Sequence, residues 1–141
     1  MVEEIWEFHK KLFKLITTEL DLPIKPGRFP FILVSVKRPG ISQKEIAKLL
    51  NLDPSSVAIT LKRMEKDGLV FKKRDEKDGR IFRVFPTEKA KEIYGHLRKI
   101  VEKVEKDISS ILSDEEKECF GEILEKLNSY LSRRMGSWKS S

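Results

Sequence analysis

The chain has 141 residues, of which 39% are hydrophobic and 37% are charged, with 29 lysines and arginines against 23 aspartates and glutamates. This length favours a single domain. Because no stretch approaches the roughly 18 consecutive apolar residues of a membrane span and the start lacks the basic-then-apolar pattern of a signal peptide, we expect a cytoplasmic protein with no membrane partner. A single cysteine excludes an intrachain disulfide framework, and the two histidines leave few ligands for a metal site. Neither a metal nor a cofactor is therefore expected.

Two helices are expected in the first part of the chain. Apolar residues recur at spacings of three and four from Val2 to Leu20, which predicts an amphipathic helix with more apolar surface than one small core usually covers. The segment from Phe29 to Lys37 is apolar on most sides and predicts a buried helix. That helix should begin near Phe29, because Pro30 is tolerated only in a first turn.

The next segment has the signals of a helix-turn-helix unit. The capping-box sequence Ser42-Gln-Lys-Glu45 predicts the start of a helix that reaches Leu50. Asp53-Pro54 then supplies an N-cap and a proline at the first helical position, so a second helix is predicted over 54–67. Two short helices joined by a tight turn form this unit. The residues of the second helix expected to face inward are Val57, Leu61 and Met64.

A β-hairpin is expected directly after this unit. Two β-prone runs, 69–74 and 80–85, flank the segment 75–79, in which Asp78-Gly79 is a turn signal. A hairpin behind a helix-turn-helix makes the winged variant of that fold. The predicted wing therefore spans residues 69–85.

Two long amphipathic helices are expected after the hairpin. Thr87 is predicted to cap a helix over 87–112, whose apolar residues form a heptad seam of three heptads. A second capping box, Ser113-Asp-Glu-Glu116, predicts a last helix, and residues 136–141 are expected to be frayed.

The terminal helices predict a homodimer. No single winged-helix domain is wide enough to bury the long seam, so the first and last two helices are expected to interlock with those of a second copy. The alternative is a monomer whose terminal helices cover their own core. The predicted dimer contacts are Ile5, Leu12, Val104, Ile108, Ile111, Phe120, Leu124, Leu127 and Leu131.

The predicted fold class is mainly α with a small β-hairpin wing. Residues 26–86 are assigned to a winged helix-turn-helix lobe that binds DNA, and residues 1–25 and 87–135 to a helical dimerisation lobe. Residues 37–83 contain thirteen basic and seven acidic residues, and this difference accounts for the entire net charge of +6. A surplus confined to one compact segment is the electrostatic footprint of a nucleic-acid-binding face, although a basic surface can also be merely solvated.

Four stretches of this sequence resemble the MarR family of bacterial and archaeal transcriptional regulators. They are Arg38-Pro-Gly-Ile-Ser-Gln-Lys-Glu-Ile-Ala47, Leu52-Asp-Pro-Ser-Ser-Val57, Arg63-Met-Glu-Lys-Asp-Gly-Leu-Val70 and Asp78-Gly-Arg-Ile-Phe-Arg-Val-Phe-Pro-Thr-Glu-Lys89. The last is similar to the family's wing pattern of Asp, one residue, Arg and then Val-x-Leu-Thr, with Pro86 where leucine is usual. The resemblance implies a homodimer that binds a pseudo-palindromic operator and usually represses transcription until a small molecule or an oxidant loosens it.

The resemblance also implies how the wing contacts double-stranded DNA. Arg80 is expected to reach the minor groove while Asp78 braces it through a charge-assisted pair. Lys72 and Arg83 would supplement the positive field. Because strands alternate faces, some of the wing cations are expected to be bystanders.

The recognition helix departs from the family at its centre. The family often has a polar residue or an arginine where this chain has Ala58 and Ile59. Apolar groove-facing residues can pack on thymine methyls, which predicts an A·T-leaning operator. The alternative is that Ile59 lies under the helix as part of the core. The full set of predicted DNA contacts is Ser42, Gln43, Ser55, Ser56, Ala58, Ile59, Lys62, Arg63, Lys66, Lys73, Arg74, Lys77, Asp78 and Arg80.

An effector site is expected from the same resemblance. Relatives bind small aromatic acids between the DNA lobe and the dimer helices, so a small aromatic or phenolic ligand is a possible partner. Cys119 lies in the last helix rather than in the first, where some relatives sense peroxides, and a buried packing role is favoured for it. Aromatic residues at helical spacing are also common in plain cores. The candidate effector-binding residues are Trp6, His9, Phe13, Arg28 and Phe29.

Catalysis is not expected. The sequence has no phosphate-binding loop, no dinucleotide fingerprint and no paired metal-ligand spacing. The serious alternative to DNA binding is a winged-helix protein-interaction module with an incidental basic wing. The concentration of charge on the recognition helix and wing argues against that alternative.

Overall fold

The computed structural model describes residues 1–22 and 24–139, with side chains described as far as residue 135. The chain divides into two compact units, Met1–Val101 and Glu102–Ser141. Among the described residues, the α-helices are α1 (Val2–Leu20), α2 (Phe29–Lys37), α3 (Gln43–Leu50), α4 (Pro54–Lys66), α5 (Glu88–Ser110) and α6 (Asp114–Lys139), and the strands are β1 (Ile41–Ser42), β2 (Val70–Arg74) and β3 (Phe82–Pro86). The predicted fold class, mainly α with a small β wing, is confirmed.

The predicted helix starts are confirmed where the sequence supplies side-chain caps. At α3 the backbone N–H of Glu45 donates to Ser42 Oγ at 3.1 Å, and the N–H of Ser42 donates to Glu45 Oε2 at 2.9 Å. The same reciprocal pair joins Ser113 and Glu116 before α6. Thr87 Oγ1 accepts from the N–H of Ala90 at 3.2 Å and so caps α5. Each cap satisfies backbone donors that a helix start leaves without partners.

Three details of the helices differ from the prediction. Asp53 occupies the N-cap position of α4, but its side chain makes no capping hydrogen bond. The helix α5 ends at Ser110 rather than Leu112, and Ser110 Oγ donates to the carbonyl of Asp107 at 2.6 Å in its last turn. The helix α6 continues to Lys139, past the predicted start of the frayed tail, and residues 140–141 of that tail lie outside the described residues.

The sheet has one more strand than the predicted hairpin. Strands β2 and β3 pair antiparallel with Lys73 opposite Arg83, and β1 pairs with the outer edge of β3 with Ile41 opposite Val84, in the order β1-β3-β2. The sharp approach to β1 is made at Gly40, whose φ of +87° favours glycine. A methyl group there would also contact the ring of Phe85 at 3.4 Å. The extra strand anchors the wing to the end of α2.

The core of the first unit lies between the helix-turn-helix and the sheet. The side chains of Val57, Leu61 and Met64 are completely buried, as predicted. The first turns of α5 pack on this core through Ala90 and Ile93, so this part of the predicted heptad seam serves the winged lobe. The unit boundary consequently lies at Val101, later along α5 than the sequence-based boundary at residue 86. The other members of the core are Phe31, Ile32, Val34, Ile41, Ile46, Ala47, Leu69, Val70 and Val84.

The two terminal helices expose apolar side chains. On α1, Trp6 is 61% exposed and Ile5 is also exposed. In the second unit, Ile111 is 78% exposed, and α6 exposes several more large apolar residues. Among the predicted dimer contacts, Val104 is already buried within the single chain, and Leu12, Ile108 and Leu127 are half-buried. The exposed large apolar residues of α6 are Phe120, Ile123, Leu124, Tyr130, Leu131 and Met135. Among the residues described, none of the helices has the length and apolar character to cross a membrane.

Candidate nucleic-acid interface

The recognition helix α4 is positioned by its buried face. Val57, Leu61 and Met64 follow one another at spacings of four and three, so a single stripe of the helix packs on the core. Gly68 ends the helix with a φ of +70°, and the N–H of Leu69 donates to the carbonyl of Met64 at 2.9 Å. The orientation of α4 therefore follows from core packing rather than from its exposed side chains.

The opposite face of α4 presents the predicted DNA contacts to solvent. Ile59 is 55% exposed, which shows that the alternative placement of this residue in the core is wrong. Ala58 beside it is half-buried. Within the part of the chain that the structure describes, the cations of this face form no ion pair with the protein. The predicted contacts exposed on this face are Ser55, Ser56, Ile59, Lys62, Arg63 and Lys66.

The tip of the wing contains the arginine–aspartate pair implied by the family pattern. Arg80 Nε donates to Asp78 Oδ1 at 3.1 Å, and Arg80 Nη2 donates to Asp78 Oδ2 at 3.2 Å. The hydrogen bonds from Arg80 hold the pKa of Asp78 below its ordinary value, so this carboxylate remains charged. The side chain of Arg80 is nevertheless 91% exposed. The aspartate thus orients a guanidinium that remains open to a ligand.

A second aspartate organises the base of the wing loop. Asp75 Oδ1 accepts from the backbone N–H groups of Lys77 at 2.9 Å and Asp78 at 3.0 Å, while Asp75 Oδ2 accepts from Arg83 Nε at 2.6 Å. These bonds, that from Arg83 first, lower the pKa of Asp75. Arg83 Nη1 also donates to the carbonyl of Gly40 at 3.0 Å. Arg83, expected to supplement the positive field, is therefore a clamp between the wing and the approach to β1.

The remaining strand cations lie against aromatic rings. Lys73 Nζ is 5.6 Å from the ring centre of Phe71 and 5.5 Å from that of Phe85. Arg74 lies over the ring of Phe82 at 5.2 Å, on the other face of the strand. Such contacts limit the freedom of the cations. Of the predicted wing contacts, Lys73 and Arg74 are held in this way, whereas Lys77 and Arg80 project from the loop.

Lys72 also has a partner within the protein. Its Nζ is 3.6 Å from Glu65 Oε2 on α4 and 5.6 Å from the ring centre of Phe82. This bridge connects β2 to the recognition helix. Sequence reasoning missed it, because strand alternation alone does not show which helix residue lies opposite.

A groove brings the start of α3 to the wing. Ser42, Gln43 and Arg80 line it together, which unites three predicted contacts, and its volume is about 470 Å³. The backbone N–H of Ser42 lowers the pKa of Glu45, with smaller contributions from Arg38 and Arg83, so the groove also contains a fixed negative charge. A phosphate in this groove would meet Arg80 and the first turn of α3, whose backbone dipoles favour anions. The other lining residues are Lys44, Glu45, Ile81, Phe82 and Arg83.

A pocket of about 490 Å³ adjoins the C-terminal end of the recognition helix. Arg28 forms an ion pair across it with Asp67, the C-cap residue of α4, and this bond lowers the pKa of Asp67. Lys89 Nζ donates to the backbone carbonyl of Asp67 at 3.2 Å. His96 also lines the pocket, so cationic and polar groups stand beside an apolar wall. The apolar lining residues are Leu22, Ile24, Leu69 and Ile93, and Glu92 completes the set.

Only one of the five predicted effector residues lines this pocket. That residue is Arg28. Trp6, His9 and Phe13 follow one another along α1 with ring centres 5.9 and 6.0 Å apart, and all three are exposed. Phe29 is buried. Two polar members of the pocket, Lys89 and His96 on α5, carried no signal in the sequence, because their proximity to Arg28 depends on the fold.

The described residues contain no group of three or more His, Cys, Asp or Glu side chains placed to hold a metal ion. The single cysteine, Cys119, is exposed on α6 rather than buried as expected.

Comparisons with known proteins agree with this geometry. Residues 24–81 match the MarR_2 model of the MarR family. The chain is 30% identical over 113 residues to YybA, an uncharacterised HTH-type transcriptional regulator from Bacillus subtilis, covering 80% of this chain and 75% of that protein.

Two solved structures extend the similarity to the whole fold. A MarR transcriptional regulator from Methanosarcina mazei superposes with a TM-score of 0.76 and 26% identity over 92% of this chain and 95% of that one. A MarR family regulator from Listeria monocytogenes, solved with a 26mer DNA, has a TM-score of 0.84 and 20% identity over 100% of this chain and 95% of that one.

Proposed function

Since this chain belongs to the MarR family of winged helix-turn-helix transcriptional regulators, which are not enzymes, we propose that it is a homodimeric repressor of a pseudo-palindromic operator. In this proposal α4 enters the major groove and the wing contacts the adjacent minor groove. The Listeria regulator of the same fold was solved with DNA, which supports this mode of action. A repressor of this kind acts in the cytoplasm, where its operator lies.

The observation on which the proposal depends is the exposed but braced Arg80. An arginine side chain that is oriented by Asp78 and is 91% exposed is suited to a narrow, negatively charged groove. It shares one lobe with the unpaired cations of α4. These groups give the lobe two positively charged elements, the helix α4 and the wing loop. One element can enter the major groove of a duplex while the other contacts the minor groove.

Binding to DNA is tested by fluorescence anisotropy across a salt series. The labelled duplex comes from upstream of the gene that encodes this chain, and a scrambled duplex is the control. A dimer that neutralises about six to ten phosphates gives a log–log salt slope near −0.9 per contact. We expect a preference of about 10³-fold or more for the native duplex. Absence of binding to either duplex at low salt would instead favour the protein-interaction module.

Dimerisation is proposed because the terminal helices expose large apolar residues, whose contact with water is unfavourable in free energy. Leu131 on α6 is 51% exposed in the single chain, so it can be changed without opening the core. Leu131→Glu should give a monomer in sedimentation velocity that retains its helical content and loses operator affinity. Ser129→Glu adds the same charge at an exposed position on α6, beside Glu125 and Lys126, and should leave the dimer intact. A dimeric Leu131→Glu variant would remove this face from the interface.

Modulation by a small ligand is proposed for the pocket beside Asp67. Its volume lies within the range of small-molecule sites, and an anion that pairs with Arg28 would compete with the C-cap residue of α4. Salicylate, which is both an aromatic acid and a phenol, is the probe. We expect it to weaken operator binding by the wild-type protein and to have less effect on Arg28→Ala. Lys25→Ala removes an exposed cation from the same connecting segment and is the control.

A further inference from the structure

The centre of the recognition helix is apolar where its two ends are polar. The helix has 13 residues and is about 20 Å long, so its start, middle turn and end would meet different base pairs of a groove. Exposed hydroxyls lie at the start of α4 and exposed cations lie toward its end, while Ile59 occupies the middle turn. The chemistry offered to the centre of a half-site is therefore that of a hydrocarbon.

The side chain of Ile59 cannot be part of the core. It lies two residues from both Val57 and Leu61, which is about 200° around the helix from each of these buried residues. At 55% exposure it is the most exposed large apolar residue of α4. It belongs to the same exposed stripe as Ser55, Lys62 and Lys66, at helical spacings of three and four.

An isoleucine in this position can discriminate between base pairs only through apolar contact. It has no donor or acceptor, so it cannot form the bidentate bonds by which arginine recognises guanine or asparagine recognises adenine. It can pack on the C5 methyl of thymine, the only methyl group that a base edge presents in the major groove. The polar groups on the major-groove edges of A·T and G·C pairs alike find no partner on isoleucine, so the contact with the methyl group carries the discrimination.

We propose that Ile59 is a specificity-determining residue that selects thymine by contact with its C5 methyl group, with Ala58 providing the space for close approach. This inference rests on the proposed entry of α4 into the major groove. It assigns an A·T pair to the position of each half-site that lies under the middle turn of α4. In a symmetric dimer, the two half-sites carry the same requirement.

The experiment begins with selection of duplexes from a random library by the wild-type protein. In the best duplex, each symmetric pair of thymines is then replaced by deoxyuridine, which differs only by the absence of the C5 methyl group. Burial of one methyl group corresponds to roughly a fourfold change in affinity, and two half-sites to roughly fifteenfold. We expect this loss at one symmetric pair of thymines and nearly unchanged affinity at the other pairs, measured by anisotropy at one salt concentration.

Variants of the protein complete a double-mutant cycle. Ile59→Ala should bind the thymine and deoxyuridine duplexes equally well, because the contacting methyl groups are gone from the protein side. Leu49→Ala is the matched control, since Leu49 is 53% exposed on the neighbouring α3, and it should retain the full preference of the wild type.

The outcomes separate the inference from the function on which it rests. A selected operator whose affinity does not change at any deoxyuridine pair would overturn the role of Ile59 and leave the proposed repressor in place. The same holds if Ile59→Ala keeps the preference for thymine. A library from which the wild type enriches nothing would overturn both.

Discussion

The two parts of the candidate DNA interface, the recognition helix and the wing, are ordered in opposite ways. The exposed side chains of α4 that we propose to face DNA form no ion pairs with the protein among the residues described, and the helix is held by the stripe of Val57, Leu61 and Met64 on its other face. The residues at the tip of the wing contribute no buried apolar side chains to the core among the described residues. Its shape depends on Asp75 and Asp78, which accept hydrogen bonds from the loop backbone and from arginines.

Because of this difference, substitutions in the helix and in the wing are expected to have different consequences. Substitutions on the exposed face of α4 leave the packing untouched, so base preference can vary without loss of stability. A substitution of Asp75 or Asp78 changes the charge and the shape of the wing together, because these two aspartates contribute to both. The helix is therefore suited to specificity, and the wing to a constant contact with the DNA backbone and minor groove.

The largest expected effect comes from the buried face of the recognition helix. Leu61→Ala should lower the free energy of unfolding by about 2–5 kcal/mol, because Leu61 is completely buried and its removal leaves a cavity. Urea denaturation followed by circular dichroism measures the loss. Ile59→Ala on the opposite face should change the stability by less than about 0.5 kcal/mol. Equal losses for the two variants would contradict the division of α4 into a packing face and a free face.

The next effect concerns the tip of the wing. Arg80→Ala should weaken operator binding by about tenfold or more, which corresponds to about 1.4 kcal/mol, while the dimer remains intact. Arg80→Lys keeps the charge but cannot form the two parallel bonds to Asp78, so only part of the affinity should return. Anisotropy and sedimentation velocity provide the two measurements. An unchanged affinity for Arg80→Ala would remove the wing from the mechanism.

A smaller effect is expected at the base of the wing, where charge and order act in opposite directions. Asp75→Ala removes a negative charge from the loop that we propose to bind DNA, which by electrostatics alone should raise the affinity. It also removes the acceptor for Arg83 and for two backbone N–H groups. We expect the loss of order to dominate and to lower operator affinity by about threefold, within the range of an exposed ion pair.

A neighbouring carboxylate provides the control for Asp75. Glu76 is exposed in the same loop, and the structure gives it no hydrogen bond or ion pair within the described residues. Glu76→Ala should therefore show only the electrostatic effect, a small gain in affinity. If both variants gained affinity, the wing would not depend on Asp75 for its shape.

The parts of the fold predicted from the sequence are those with local signals. The bounds of α1 and α2 agree with the hydrophobic pattern and with the place of Pro30, and the starts of α3 and α6 follow from capping boxes whose members are three residues apart. Leu49 shows the limit of periodicity. The spacing of the apolar residues in α3 predicts that Leu49 faces inward with Ile46, but Leu49 is 53% exposed whereas Ile46 is completely buried.

The contacts that the sequence did not predict join distant residues. Strand β1 has two residues and exists because Ile41 meets Val84 on β3. The clamp from Arg83 to Gly40 spans 43 positions, and Arg28 meets Asp67 across 39. In a single sequence nothing distinguishes such an arginine from one that binds DNA. The pair of Asp78 with Arg80 was predictable because a two-residue spacing and a family pattern both indicated it.

The smallest expected effect tests whether α4 needs a cap at its start. Asp53 lies at the N-cap position without a capping bond, whereas Ser42 at the matched position of α3 accepts one at 3.1 Å. Ser42→Ala should lower the free energy of unfolding by about 1 kcal/mol, and Asp53→Ala by less than about 0.5 kcal/mol. Urea denaturation resolves this difference. If Asp53→Ala lowers the free energy of unfolding as much as Ser42→Ala does, then the start of α4 also helps to hold the helix against the core. The recognition helix would then depend on an aspartate for its position, as the wing does.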